Sequence, residues 1–251
     1  MLRTLFLCLF LAVPVQAEEV VAGLSQNRIA ITANFDGSEI LIFGAVKRED
    51  PIPTTEQLEV IVAVVGPSEP ITVRRKDRRL GIWVNTDAVE VDAAPSFYAV
   101  ATTGPLVDIL RDTEDLRHHV SIPRAIRSVG APQTISDAEA FTDALIRIRT
   151  KNGLYQQLEN QVKLSEDTLF RTSIALPANL TEGAYKTRIF LTRNGSVIDA
   201  YETVIDVQKV GLERWIYNLA HERPLIYGIF SLFIAIVAGW SASAVFRYIR
   251  T

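Results

Sequence analysis

Apolar and polar positions alternate in short runs along residues 28–102, a pattern that predicts β-strands. Ile29 and Ile31 alternate with polar neighbours, as in a strand that is buried on one face. Residues 60–65 are instead continuously apolar and mostly β-branched, which predicts a central strand. Asp36 followed by Gly37 predicts a hairpin turn. Further strands are predicted within residues 40–46, 71–73, 80–84 and 96–102.

The middle of the chain changes to helical periodicity. Ser136 followed three residues later by Glu139 predicts a capping box at a helix N-terminus. Asn152 followed by Gly153 predicts the end of that helix. The apolar face between them consists of Phe141, Ala144, Leu145 and Ile148. Residues 106–117 are a second candidate helix.

Strand patterning returns in residues 169–176, 184–192 and 196–207. Asn194 followed by Gly195 predicts a tight turn between the last two strands. Tyr185 begins a series of alternating positions that share one face. Its place at the opening of a late strand is compatible with the tyrosine corner of immunoglobulin-like sandwiches.

The sequence therefore predicts a mainly β fold of immunoglobulin-like β-sandwich modules with a helical segment in the middle. Two arrangements remain open. The late strands form a second small sandwich, or they pair with the first half and the helices are an insertion. Of these, two β modules joined by a helical segment is the favoured interpretation.

The C-terminal region contains an apolar run that predicts a transmembrane helix. Residues 225–246 form 22 consecutive positions without a charge. As a helix this run is about 33 Å long, enough to cross a hydrocarbon core of about 30 Å. Pro224 lies where a first helical turn tolerates proline. Arg247 and Arg250 follow, which favours a cytoplasmic tail.

Small side chains recur every four residues within this run and form one stripe along the helix. Such a stripe lets membrane helices approach closely, so it predicts packing against another membrane protein or a second copy. The stripe consists of Ser231, Ala235, Gly239 and Ser243.

Residues 209–224, just before the run, combine helical apolar spacing with aromatic side chains. Leu212, Ile216 and Leu219 recur at helical spacing, and Trp215 and Tyr217 are typical of the membrane interface. These features favour an amphipathic juxtamembrane helix, with a plain stalk helix as the alternative.

The N-terminus has the three parts of a secretory signal peptide. Arg3 provides the positive start, residues 5–13 are apolar, and Ala17 occupies the small position that precedes cleavage. We therefore expect cleavage before Glu18, with an uncleaved anchor as the alternative. Cys8 is the single cysteine and lies in this segment, so the mature chain has no disulfide.

These boundaries divide the chain into seven segments. They are a signal peptide (1–17), a β-sandwich module (18–104), a helical segment (105–158), a second β module or the remaining strands of the first (159–208), a juxtamembrane helix (209–224), a transmembrane helix (225–246) and a cytoplasmic tail (247–251).

Charge and motifs give no indication of nucleic-acid binding or catalysis. The formal net charge is −3, whereas nucleic-acid binders are usually strongly basic. No nucleotide-binding, metalloprotease or nucleophile-elbow motif occurs in the sequence. His118 and His119 are adjacent and poorly placed for joint metal binding. Asp108 and Asp112 would lie on one face of a continuous helix, among neighbouring charges typical of a solvated surface. We therefore expect no enzymatic activity, cofactor or metal.

The densest charge in the chain is a run of five bases and one acid. It lies between strand residues, so it is predicted at a hairpin tip. Its function is either to protect a sheet edge or to contact anionic headgroups or an acidic partner. The bases are Arg74, Arg75, Lys76, Arg78 and Arg79.

The C-terminal third resembles a family of alphaproteobacterial proteins known as putative transmembrane proteins. The resemblance rests on Glu182 to Tyr185, on the turn at Asn194, on Trp215 to Tyr217, and on Pro224 to Gly228 followed by Gly239 and Trp240. It implies an uncharacterised protein of the bacterial inner membrane with a periplasmic body. It assigns no catalytic residue, and it points to a transporter as the partner.

Taken together, these features predict a single-pass, membrane-anchored periplasmic module without enzymatic activity that assists a membrane partner such as a transporter. The alternative is a periplasmic ligand-binding or sensor domain. That alternative requires a concave pocket with convergent polar groups, lined by arginine if the ligand is an anion.

Overall fold

The computed structural model describes residues 18–32, 35–48, 57–128, 135 and 137–249. The predicted signal peptide and Cys8 lie outside the described residues. The strands are β1 (Glu19–Leu24), β2 (Arg28–Ile31), β3 (Ser38–Lys47), β4 (Leu58–Val65), β5 (Ser68–Arg79), β6 (Ile82–Pro95), β7 (Tyr98–Thr102), β8 (Tyr155–Leu158), β9 (Lys163–Ser165), β10 (Leu169–Leu176), β11 (Gly183–Arg193) and β12 (Ser196–Lys209). The helices are α1 (Leu106–Ile109), α2 (Asp112–His118), α3 (Ile122–Ala125), α4 (Ala138–Lys151), α5 (Leu212–Glu222) and α6 (Pro224–Ile249).

Two sheets form the sandwich. The first has the strand order β1-β3-β10-β9, and the second has the order β2-β12-β11-β4-β7-β8. The first sheet has the A-B-E-D order of immunoglobulin-like sandwiches, with β1, β3, β10 and β9 in those places. In the second sheet the edge strand β8 runs parallel to β7. Strand β2 runs parallel to β12, whereas β11 is antiparallel to both β12 and β4. The predicted mainly β sandwich is confirmed.

The strand pairing also decides between the two arrangements that the sequence left open. Strand β10 pairs with β3 over eight residues, and β11 pairs with β4 over eight residues. Each sheet therefore contains strands from both halves of the chain. The body is one sandwich with an insertion, so the favoured interpretation of two β modules is wrong. The reason is that the late strands complete sheets whose edges the early strands leave open.

The space between the sheets is filled by alternating side chains from both halves. Ile42 of β3, Val62 of β4 and Ile189 of β11 are fully buried there. The predicted shared face of β11 is confirmed, since Tyr185, Thr187, Ile189 and Leu191 are all buried. The tyrosine corner is confirmed as well, because the Tyr185 hydroxyl donates to the Thr181 carbonyl at 2.7 Å.

The helices α1 to α4 form a third layer on the outer face of the second sheet. They lie in the chain between β7 and β8, which are neighbouring strands of that sheet. Ile61 and Val100 on the outer face of the sheet pack in one cluster with Ile109 and Leu145 of the helices. This layer explains why β4 is apolar on both faces. Its odd and even positions are buried against different layers.

Two local predictions differ from the structure, and a third lies partly outside the described residues. Asp36 and Gly37 do not close a hairpin, because β2 pairs with β12 rather than with β3. Residues 106–117 form two short helices rather than one. In the predicted capping box, Ser136 lies outside the described residues, and Asp137 occupies the N-cap position of α4. The end of that helix is as predicted, with Asn152 as the C-cap and Gly153 at φ +72°.

Candidate binding surfaces

The predicted small-residue stripe lies on α6. The segment Pro224–Val245 is long and apolar enough to cross a membrane, and none of it is buried inside the protein. Among the described residues, a Cβ atom at Gly239 would meet nothing within 4 Å apart from its chain neighbours and the backbone of its own helical turns. Within the described residues, Ser231, Ala235, Gly239 and Ser243 are all exposed, so this face of α6 is free to pack against a partner.

Helix α5 packs against the start of α6. The rings of Trp215 and Phe230 meet edge to face, with centroids 6.0 Å apart. His221 stacks on Tyr217 at 4.0 Å, and its Nδ1 lies 2.9 Å from the Tyr217 carbonyl. The aromatic side chains predicted at the membrane interface are therefore gathered at one end of the apolar helix.

The basic run lies within strand β5 of the hairpin of β5 and β6, and the turn follows it at Leu80 and Gly81. The prediction that the whole run is the hairpin tip is therefore wrong, because its bases pair along the ladder, and the five bases also differ in their contacts. Arg75 forms ion pairs with Asp137 at 2.5 Å and with Asp87 at 3.8 Å, and it lies 4.5 Å above the ring of Phe141. The pairing with Asp137 raises the pKa of Arg75. Arg75 therefore attaches the hairpin to α4. Arg74, Lys76, Arg78 and Arg79 form no ion pair within the described residues and remain exposed.

Sequence analysis missed the apolar end of this hairpin. Leu80 is fully exposed, and Ile82 and Trp83 are 65% and 67% exposed. The alternation in residues 80–84 predicts a half-buried strand, whereas residues 80–83 are exposed. Recognition of a tight turn at Leu80 and Gly81 would have indicated this end. Residues beside a turn at the end of a hairpin have no sheet to pack against, so their side chains are exposed. We call residues 78–83 the hairpin tip.

A second surface that sequence analysis missed is an open groove of about 610 Å³ between α3 and the second sheet. Pro123 and Ile126 contribute apolar walls. The basic side chains that line it are Arg124, Arg127, Lys186 and Arg188, with Glu202 as the one carboxylate in the lining. Glu202 pairs with Lys186 at 3.2 Å. The three arginines form no ion pair within the described residues. The residues lie far apart in sequence, so no local pattern indicates this groove.

Arg188 anchors one side of this groove, which we call the basic groove. Its guanidinium donates to the backbone carbonyls of His118 at 2.7 Å and His119 at 3.0 Å. The Cζ atom of Arg188 lies 5.4 Å from the centroid of the Phe190 ring. Burial raises the pKa of Tyr98 to about 12, although the charge of Arg188 acts in the opposite direction. Tyr98 therefore stays neutral at physiological pH and donates its hydroxyl proton to the Val120 carbonyl at 2.6 Å.

Asp115, Glu114 and His118 hold structural contacts near the helices. Asp115 accepts hydrogen bonds from the backbone of Val120 and Ser121 and from the Ser121 hydroxyl. Glu114 lies 2.9 Å from Arg117 and 3.5 Å from His118. Asp108 and Asp112 lie on separate helices, so they do not share a face. Within the described residues, no group of three potential metal ligands occurs.

A family model matches residues 19–248, which include the sandwich, the helical insertion and α6. Its description is Putative transmembrane protein (Alph_Pro_TM). The chain belongs to this family. The resemblance inferred from the sequence is confirmed, and a search of curated proteins found no match. A transmembrane family with one apolar C-terminal helix fits a single-pass membrane protein with a β-rich body.

Proposed function

We propose that this family member is a non-enzymatic periplasmic module, anchored in the bacterial inner membrane by α6, that assists a membrane partner such as a transporter. The observation that carries the proposal is the uncovered small-residue face of α6, which no described part of the chain occupies. Membrane helices associate through such faces because close backbone approach replaces the missing hydrophobic driving force.

Sequence features support the orientation. A signal peptide cleaved before Glu18 would leave the sandwich on the outer side of the membrane. Arg247 and Arg250 then follow α6 on the cytoplasmic side, in agreement with the positive-inside bias. The proposal of a non-enzymatic role is supported by Asp115 and Glu114, whose carboxylates hold loop and helix contacts.

We expect Gly239→Leu combined with Ala235→Leu to abolish most co-purification of the membrane partner with the full-length protein. Leucine side chains prevent close helix approach, and both positions are exposed on α6, so the substitutions should leave the fold of the described residues intact. The measurement is affinity purification of the full-length protein from membranes after crosslinking, with quantification of the recovered partners.

Ala244→Leu is the matched control, because nine residues at about 100° each place Ala244 on the opposite side of α6 from Ala235. It adds the same side chain to the helix and should leave recovery unchanged. If the double variant recovers the same partners in the same amounts as the wild type, α6 is only an anchor and the proposed role is wrong.

A second candidate, a ligand-binding domain, is favoured by the basic groove. The groove has the concave shape and arginine lining that binding of an organic anion requires. The apolar walls at Pro123 and Ile126 favour an anion with an apolar part. Arg124 belongs to α3, and the backbone of Arg127 is held by two hydrogen bonds to Ala93, so β6 fixes the base of the groove.

We expect Arg124→Gln and Arg127→Gln each to weaken the binding of phenylphosphonate to the full-length protein about tenfold, the usual effect of losing a hydrogen bond to a charged group. Titration calorimetry in nanodiscs measures this, with benzyl alcohol as the uncharged ligand. Arg147→Gln, an exposed arginine of α4 outside the groove, is the control. The ligand-binding candidate is rejected if the two groove variants bind phenylphosphonate as tightly as the Arg147→Gln control. It is also rejected if the wild type does not bind phenylphosphonate.

A further inference from the structure

The hairpin of β5 and β6 is a two-stranded ribbon whose far end extends beyond the sandwich. Its strands pair with each other from Ser68 opposite Pro95 to Arg79 opposite Ile82, and β6 also forms an isolated bridge to Arg127 through Ala93, near the sandwich. The 12 residues of β5 correspond to about 40 Å of extended chain. Val89 and Val91 are buried at the near end, whereas every residue from 74 to 83 is exposed. The hairpin tip therefore contributes no buried side chain to the fold.

The turn at the hairpin tip has a residue that its backbone geometry disfavours. Leu80 has φ +50° and Gly81 has φ +87°, as in the two-residue turns in which both central residues have positive φ. Asparagine or glycine is strongly preferred at the first of these positions. A fully exposed leucine gains no packing to offset its strained backbone. The packing and the turn geometry of this chain therefore give no reason for leucine at position 80.

The neighbours of Leu80 make the hairpin tip both apolar and basic. Ile82 lies opposite Arg79, and Trp83 lies opposite Arg78. Trp is the side chain typical of the bilayer interface, where its amphipathic ring lies at headgroup depth. Arg78 and Arg79 lie within about 7 Å of the turn along the strand. Apolar side chains at an end surrounded by bases match an anionic bilayer surface.

The remaining charges agree with this pattern. Lys76 and Arg74 lie farther from the turn and form no ion pair within the described residues. Asp77 is the one acid in the run, and its carboxylate accepts a hydrogen bond from the backbone N–H of Arg78 at 2.7 Å. Long basic side chains can reach headgroup phosphates while the apolar end enters more deeply.

We propose that the hairpin tip inserts into the anionic headgroup region of the same bilayer that holds α6. The sandwich ends at Lys209 and the apolar helix begins at Pro224, so a short connection that is mostly the helix α5 keeps the body near that membrane. The hairpin forms a second attachment, which restrains the orientation of the body on the membrane surface. This contact is independent of any partner of α6.

The test uses the emission of Trp83 in the full-length protein. The chain has three tryptophans, so Trp215→Phe and Trp240→Phe leave Trp83 as the single reporter. Each nanodisc holds one protein molecule. The discs consist of phosphatidylcholine alone or of phosphatidylcholine with phosphatidylglycerol, and brominated acyl chains serve as quenchers in both. We expect blue-shifted, quenched emission in the discs that contain phosphatidylglycerol, and weaker quenching in phosphatidylcholine alone.

Leu80→Asn separates insertion from folding, because asparagine suits the turn better than leucine and retains the hairpin. We expect this variant to lose most of the quenching. Val107→Asn, which replaces an apolar residue that is 85% exposed on α1, should retain it. Arg78→Gln and Arg79→Gln should each lower the ratio of inserted to free hairpin about fivefold.

Unquenched Trp83 in every disc would overturn the proposal, and so would quenching that Leu80→Asn leaves unchanged. A photo-crosslinker at position 83 adds a distinct outcome. If it captures a protein in native membranes while Trp83 remains unquenched in nanodiscs, the hairpin tip binds a protein surface and not the bilayer.

Discussion

Phe170→Ala lowers the free energy of unfolding of the sandwich by about 3–5 kcal/mol, the range for removal of a buried phenylalanine side chain. Phe170 is 2% exposed and lies in β10 directly opposite Gly44 of β3. Because the two strands come from different halves of the chain, the loss destabilises the whole body. Urea denaturation of the full-length protein, followed by near-ultraviolet circular dichroism, measures this change.

Leu169→Ala is the control for this variant, since Leu169 is the neighbouring side chain on the exposed face of β10. It should change stability little. Both variants should unfold in one cooperative transition. Two separate transitions, of which Phe170→Ala shifts only one, would contradict a single sandwich built from both halves.

Substitutions at Gly44 and at Phe170 should have coupled effects on the free energy of unfolding. A Cβ at position 44 would lie 2.5 Å from Cζ of Phe170 and 2.7 Å from the carbonyl oxygen of Val21. Gly44→Ala should therefore destabilise the wild type, and part of that cost should disappear in the Phe170→Ala background, because contacting residues are non-additive.

Glu18→Ala lowers the free energy of unfolding by about 3 kcal/mol, the lower end of the range for breaking a buried ion pair. The Glu18 carboxylate lies 2.6 Å from Arg48 and 3.0 Å from Arg193, and the three side chains are 9–15% exposed. Arg48 follows β3 of the first sheet, and Arg193 ends β11 of the second. Alanine would leave two nearly buried guanidinium groups without their shared carboxylate. Chemical denaturation of the full-length protein measures the loss.

Glu19→Ala is the matched control, because Glu19 pairs with Lys47 at 3.3 Å with both side chains more than 60% exposed. Exposed pairs contribute about 0–1 kcal/mol, so this variant should remain close to the wild type. An equal loss for both variants would show that the position at the start of β1, rather than the ion pair, matters.

The same site should make stability depend on pH. Burial raises the pKa of Glu18, but hydrogen bonds and charges from Arg48 and Arg193 outweigh it, so the pKa of the folded state lies below its ordinary value. The stabilisation is fully present above about pH 4.3, the pKa of an unfolded glutamate, and is lost as pH falls through the lower folded-state pKa. Glu18→Ala should therefore flatten the loss of stability below that pH.

Local patterns predicted most of the elements, because each depends on nearby residues. The strand at Leu169–Leu176 coincides with the residues predicted from strand patterning, and the turn at Asn194 follows from turn chemistry. The helix α4 ends at Lys151, with Asn152 as its C-cap, as predicted. The strand β9 is only three residues long, too short for periodicity to distinguish it from a loop.

The two candidate surfaces on the body were less predictable. The bases of the hairpin are contiguous in sequence and could be located, but the attachment of Arg75 to Asp137 depends on where α4 packs. The basic groove combines Arg124 with Lys186 and Arg188 from a strand that enters the sheet much later in the chain. No spacing rule relates those positions.

The sequence by itself determined the membrane helix, the alternation that makes the body a β-sandwich, and the small-residue face of α6, because these properties depend on residues within a few turns or one strand of each other. Only the tertiary structure decided that the late strands pair with the early ones in one sandwich. It also decided that Leu80 and Trp83 are exposed and that distant arginines line one groove. These features depend on which strands become neighbours, and that choice is made by burial across the whole core rather than by any local pattern.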